Sequence, residues 1–261
     1  MFTMKWLIAL FVLAAGCVQA KDACNLELRG GLRITTTALE FTDGDKMLYK
    51  IVKDQDLWMN DRRLVLNPAQ QQLVTQYATS IRALVPEVRQ ISLEGVDLAS
   101  DATHLLFQEL LEPDNDTEKA IDREFSLLKI DIQNSFADGQ PININQKGIS
   151  DGDFFGMNFE KRISNIVAAS GKEISWNLIK SLGSAIFSSS DKRGDFETRM
   201  NRLNEKMEHS MTQRSEHLDK RGAAVCRSVT LLDAKEEALK KSVKEIGQFD
   251  LIFIKNTTEP K

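Results

Sequence analysis

Three histidines, His104, His209 and His217, and three cysteines, Cys17, Cys24 and Cys226, are the whole supply of imidazole and thiol groups. His209 and His217 fall on one predicted helix, about 12 Å apart along its axis, too far to share a metal without a third element folding in. No HExxH pattern and no short Cys/His cluster accompanies them, so solvated helix positions explain them and no metal site is expected. Asp43-Gly44-Asp45 and Asp151-Gly152-Asp153 could each offer oxygens to calcium. Neither keeps the ligand spacing of an EF-hand loop. Counted from Asp43, the closing position is Asp54, shorter than the usual Glu, and Met47 and Tyr49 intervene. Turns are the expected reading. Gly148-Ile149-Ser150-Asp151-Gly152 spells the nucleophile elbow G-x-S-x-G. That elbow needs a strained strand-to-helix turn behind a buried strand, whereas Ser150 is set in polar loop. No catalytic, metal or cofactor-binding residue is assigned, and no cofactor.

The 261 residues are 42% hydrophobic and 28% charged, a composition that excludes a wholly disordered chain. The net charge of −4 argues against a general nucleic-acid binder, whose affinity comes largely from neutralising phosphates. Residues 1–20 read as an export signal: Lys5, then an apolar run from Trp6 to Ala15, then Val18-Gln19-Ala20. Cleavage is expected between Ala20 and Lys21. Ala14-Ala15-Gly16-Cys17 is a competing, lipobox-like reading that would put a lipid on Cys17 and anchor the chain in the envelope. After cleavage at Ala20, Cys24 and Cys226 remain. An even count in an oxidising compartment predicts a Cys24–Cys226 disulfide, the alternative being two unpaired buried thiols.

The mature chain, 21–261, reads as a single α+β domain: a small antiparallel β meander over 21–66, a mainly helical region over 67–246, and a C-terminal strand and tail over 247–261. Thr42-Asp43-Gly44-Asp45 is a turn, and Asn60-Asp61-Arg62-Arg63 joins two strands in a tight hairpin. Asn67-Pro68 starts a helix, as N-cap and first helical residue, that is expected to end at Pro86. A second helix is expected over about 93–112. A third, from Thr117, carries the seam Ile121, Phe125, Leu128, Ile132 and Phe136. Residues 137–156 form a polar break. A fourth helix over about 158–187 uses Ile163, Val167, Ile174, Leu178 and Leu182. A fifth, over about 195–222, is mostly charged, with a stripe of Phe196, Met200, Leu203, Met207 and Met211. Asp233 caps a further short helix, and Phe249–Ile254 closes the fold as a strand that could join the N-terminal sheet. No segment after residue 20 is apolar enough to cross a membrane.

The export signal, Cys24, the junction Leu66-Asn67-Pro68-Ala69-Gln70, the long polar helices and Cys226-Arg227-Ser228-Val229-Thr230-Leu231 together resemble the YggN-like family of exported bacterial proteins of unknown function. The resemblance implies a periplasmic location and carries over no activity. The expected function is that of a non-enzymatic envelope protein that binds another protein or an envelope component, with the charged helix 195–222 as its surface. The alternative is a periplasmic hydrolase with dispersed catalytic carboxylates.

Overall fold

The structure is a computed structural model and describes residues 26–111, 115–137, 139–144, 161–162, 164–165, 168 and 190–254. The signal segment, Cys17, Ala20, Lys21, Cys24, Ser150 and the apolar positions of the fourth predicted helix lie outside the described residues.

The architecture is α+β, with antiparallel sheets and long helices. In chain order the elements are β1 (Leu26–Leu28), β2 (Gly31–Ile34), β3 (Ala38–Asp43), β4 (Lys46–Val52), β5 (Asp56–Met59), β6 (Arg62–Arg63), α1 (Pro68–Leu106), α2 (Asn115–Ser135), β7 (Ile142–Ile144), α3 (Ser190–Ser242) and β8 (Ile252–Ile254). A π-helical turn, Phe107–Leu111, continues α1, and a 3-10 turn, Lys244–Ile246, follows α3. Strands β2 to β6 form the meander, and β7, drawn from the polar break, adds to its β2 edge. The closing strand does not join this sheet. β8 pairs instead with β1, Leu28 opposite Ile252 and Leu26 opposite Ile254, in a separate two-stranded sheet.

Alternation sorts the faces of the larger sheet, because successive side chains on a strand point to opposite sides. Ile142, Ile34, Leu39, Ile51 and Leu57 stand opposite one another in sequence across five strands, and all are buried. The next row on the opposite face is Arg33, Glu40, Lys50, Trp58 and Arg63. Tight turns hold the register. Asn60 and Asp61 both take positive φ, 49° and 58°, which matches the twist of a two-residue hairpin.

Asn67 caps α1 as expected. Its side chain accepts from the Gln70 amide at 2.9 Å, and the Gln70 side chain accepts from the Asn67 amide at 3.0 Å, a complete capping box. The helix does not end at Pro86. It runs 39 residues, about 58 Å, straight into the region read as a second helix. Proline removes one helical hydrogen bond, but tertiary contacts hold both sides of it. Before it, Arg82 donates to Asp54 at 2.7 Å and to the Thr35 carbonyl at 2.6 Å. After it, Arg221 of α3 holds both Glu87 and Glu94.

The break expected in α3 between 222 and 233 is likewise absent: one helix of 53 residues, about 80 Å, contains Cys226 and Asp233. Leu232, Glu236, Leu239 and Val243, spaced as one helical face, are all buried, so docking carries the helix through Gly222. The α2 seam holds throughout: Ile121, Phe125, Leu128, Ile132 and Phe136 are buried. Arg162, in a helical turn, ties Glu124 and Asp131 of α2 at 3.3 and 3.0 Å. Those contacts, the Asp131 hydrogen bond first, hold its guanidinium pKa above the usual value.

The two sheets meet closely at Gly30. A Cβ there would stand 2.3 Å from Leu251 Cδ2 and 2.7 Å from the Thr42 carbonyl oxygen. Gly30→Ala is expected to cost about 1–3 kcal/mol by overpacking. Denaturant titration checks this; an unchanged midpoint would show that the two sheets separate freely.

Candidate functional site

Two features stand out among the described residues. The first is a carboxyl group inside the core. Glu236 is 1% exposed, on the α3 face that carries Leu232 and Leu239. Its Oε1 accepts from the Tyr77 hydroxyl and the Leu251 amide, each at 3.3 Å, and its Oε2 accepts from the Ile252 amide at 3.0 Å. A side chain thus occupies the place that a further strand would take beside β8. Behind it stand Tyr77 and Tyr49, both buried. Phe41 stacks on Tyr49 with centroids 4.4 Å apart and on Tyr77 at 5.8 Å. Burial pushes the Glu236 carboxyl up to about 7, against the two amides and Lys240, which pull it down. Burial first, and then neighbouring charge, raises both tyrosines well above their usual range.

The second feature is a long antiparallel pairing of α1 with α3. Pairs mark its course: Gln70 with the Ser242 carbonyl, Tyr77 with Glu236, Ser80 with Lys235, Glu94 with Arg221, Asp101 with Arg214, Glu109 with Lys206. The acids Glu87, Glu94 and Asp101 recur every seventh residue on α1, and Arg221 and Arg214 answer at the same interval on α3. This is the charge pattern of a coiled-coil flank, where such pairs set register and orientation. At the far end Glu109 sits in the π-helical turn. The Lys206 hydrogen bond, first among its contacts, holds its carboxyl below the usual range, with Arg202 at 3.9 Å.

The basic member best placed to matter is Arg221, which donates to Glu94 at 2.6 Å and to Glu87 at 3.1 Å. Arg221→Ala is expected to cost about 1 kcal/mol, because the pairs are only partly buried. Thermal melts at low and high salt measure it. The difference between variant and wild type should shrink in high salt, and a salt-independent loss would mean packing, not charge, is the cause.

The histidines do not come together. His104 lies between α1 and α2, with Nε2 2.7 Å from Asp122 and Nδ1 3.7 Å from Glu118. His209 is exposed, and His217 is 4.0 Å from Glu94. Among the described residues no three of His, Cys, Asp and Glu gather as metal ligands. Asp43, Gly44 and Asp45 make the β3–β4 turn. The methionine stripe faces inward: Leu203 is buried, and Met200, Met207 and Met211 are half-buried. It is seam, not open surface, which narrows the expected interaction surface to the charged outer side of α3. A shallow cleft of about 180 Å³ lies at the β5–β6 hairpin, but its acid, Asp56, is already paired with Arg63 at 2.6 Å.

These observations define an α+β protein in which a six-stranded antiparallel sheet carries a long antiparallel helix pair, with the C-terminal strand held by a buried glutamate. Residues 24–252 match the family model described as a protein of unknown function (DUF2884), and the chain belongs to that family. No curated protein and no solved structure matches it.

Proposed function

We propose that the protein is exported to the periplasm, is cleaved between Ala20 and Lys21, and works in the envelope by binding a protein partner, without catalysis. The observation behind the binding reading is the α1–α3 pair. From Glu197 to Lys220 only Leu203 of α3 is fully buried, so a long charged face is available along a helix held in register by the ion pairs. No helix among the described residues is long and apolar enough to cross a membrane. The signal reading of residues 1–20 and the YggN-like resemblance support the location. The alternative of a hydrolase with dispersed carboxylates finds no support in Glu236, whose two oxygens are taken by two amides and a tyrosine.

The proposal includes the Cys24–Cys226 disulfide and a single α+β domain over 21–261. Along α3 Cys226 stands ten residues before Glu236, about 15 Å from the site where Ile252 is gripped. Leu28 pairs with Ile252, and Cys24 lies four residues before Leu28, a reach of about 13 Å in extended chain.

Photo-crosslinkers at Glu208, Gln213 and Glu216, on the exposed side of α3, test the binding reading in intact cells. A single envelope protein captured reproducibly from these positions is expected, with none captured from the buried side. Cells that yield only the uncrosslinked chain would overturn it.

A further inference from the structure

We propose that Glu236 is a pH-governed catch for the C-terminal strand, which docks in acid and lifts away as the pH rises through neutrality. The geometry carries this. β8 is three residues long and, among the described residues, pairs with a single strand, β1, itself three residues. Its other side is gripped by one carboxyl group, through the amides of Leu251 and Ile252. The segment leaves the body of the protein at Gly247 and Gln248, both exposed, at a turn closed by the Gly247 amide on the Lys244 carbonyl and the Phe249 amide on the Ile246 carbonyl. In the docked state Phe249 lies against Tyr49, 6.1 Å between centroids, and Leu251 and Ile252 are buried. Lifting the segment therefore lets water into the Glu236 site.

The sign follows from linkage. In the docked state the carboxyl is out of water and holds its proton up to about pH 7. Once the segment lifts, water reaches the carboxyl and its pKa returns toward the ordinary value of 4.5. Lifting thus releases a proton, and higher pH favours the lifted state. Other charged or titratable groups face the catch from every side: Tyr77 on α1, Tyr49 on β4, Asp233, Glu237 and Lys240 on α3, Asp250 just before β8, and Arg29 just after β1. Lys240 bridges Glu237 and Asp250 at 2.5 and 2.7 Å, and Arg29 holds the other Asp250 oxygen at 2.9 Å. Burial pulls Lys240 down, but those two partners outweigh it and keep it cationic, while both tyrosines are pushed up and stay protonated. Asp233 is raised by burial first and then by Glu237, so it is the group to control for.

Amide hydrogen exchange on the full chain, normalised to the exchange of an unstructured peptide, tests the catch. Between pH 5 and pH 8, opening of residues 249–254 is expected to rise up to roughly 70-fold, while the amides of Leu39 and Ile51 keep their protection. Glu236→Gln should flatten the pH dependence, and Asp233→Asn should leave it intact. A wild-type segment whose protection ignores pH would overturn the proposal. So would a slope that survives in Glu236→Gln, or one that vanishes in Asp233→Asn. If Glu236→Gln does not fold, the wild-type and Asp233→Asn series decide the question.

Discussion

Replacing Glu236 by alanine is expected to cost about 3–5 kcal/mol at pH 5. Three donors, the Tyr77 hydroxyl and the amides of Leu251 and Ile252, lose their acceptor inside the core, and each buried unsatisfied donor is worth about 1–3 kcal/mol. At pH 8 the same substitution should cost about 2–3 kcal/mol less. The reason is on the wild-type side. The folded carboxyl holds its proton up to about 7, above its unfolded value of 4.5. The stabilisation from that raised pKa is fully present below 4.5 and is lost as the pH rises through about 7, where the buried group must ionise. Alanine has nothing to ionise, so its stability does not follow that slope. Denaturant unfolding of both proteins at pH 5 and pH 8 decides the matter. Equal losses at the two pH values would mean that Glu236 does not titrate in the folded protein.

Much of this arrangement was legible in the sequence, and the exceptions share a physical cause. Local signals worked where the local chain decides. Asn67-Pro68 with Gln70 made its capping box, the hairpin formed with Asn60-Asp61 alone as its turn while Arg62 and Arg63, read as part of the link, became strand β6, and the period of Ile121 to Phe136 made a buried seam. Local signals failed where tertiary contact overrules them. Pro86 reads as a stop, and Arg82 and Arg221, anchored by residues far away in the chain, hold the helix across it. The stretch from 222 to Asp233 reads as a break between two helices, yet docking of the stretch from Leu232 to Val243 draws α3 through. The catch was hidden by its neighbours. Lys235-Glu236-Glu237 looks like a solvated charge run, and the signal that could have exposed it is positional: Leu232, Glu236, Leu239 and Val243 fall on one face, so an acid stands where the core requires a partner for it. The seven-residue recurrence of Glu87, Glu94 and Asp101 was equally present in the sequence. It gains meaning only when α3 lies antiparallel and brings Arg221 and Arg214 opposite.

The proposed Cys24–Cys226 bridge carries the other large expected effect. A loop of that length, some 200 residues, is worth about 5 kcal/mol in the chain-entropy model, an upper value because denatured chains keep some structure. Its effect should also be local. The N-terminal strand β1 is three residues long and, among the described residues, pairs only with β8, whose other side rests on Glu236. A covalent tie from just before β1 to α3 would hold this two-stranded sheet to the helix even when β8 lifts. Reductant, or Cys24→Ser, is therefore expected to lower the melting temperature and to raise exchange in β1 and β8 before exchange rises in the six-stranded sheet. The two treatments should not add, because both remove the same bond. Intact mass gives the direct check: reduction should add the mass of two hydrogens to a chain that begins at Lys21. A chain whose mass is indifferent to reductant would remove the bridge and leave the hold on β1 to β8, and through it to Glu236.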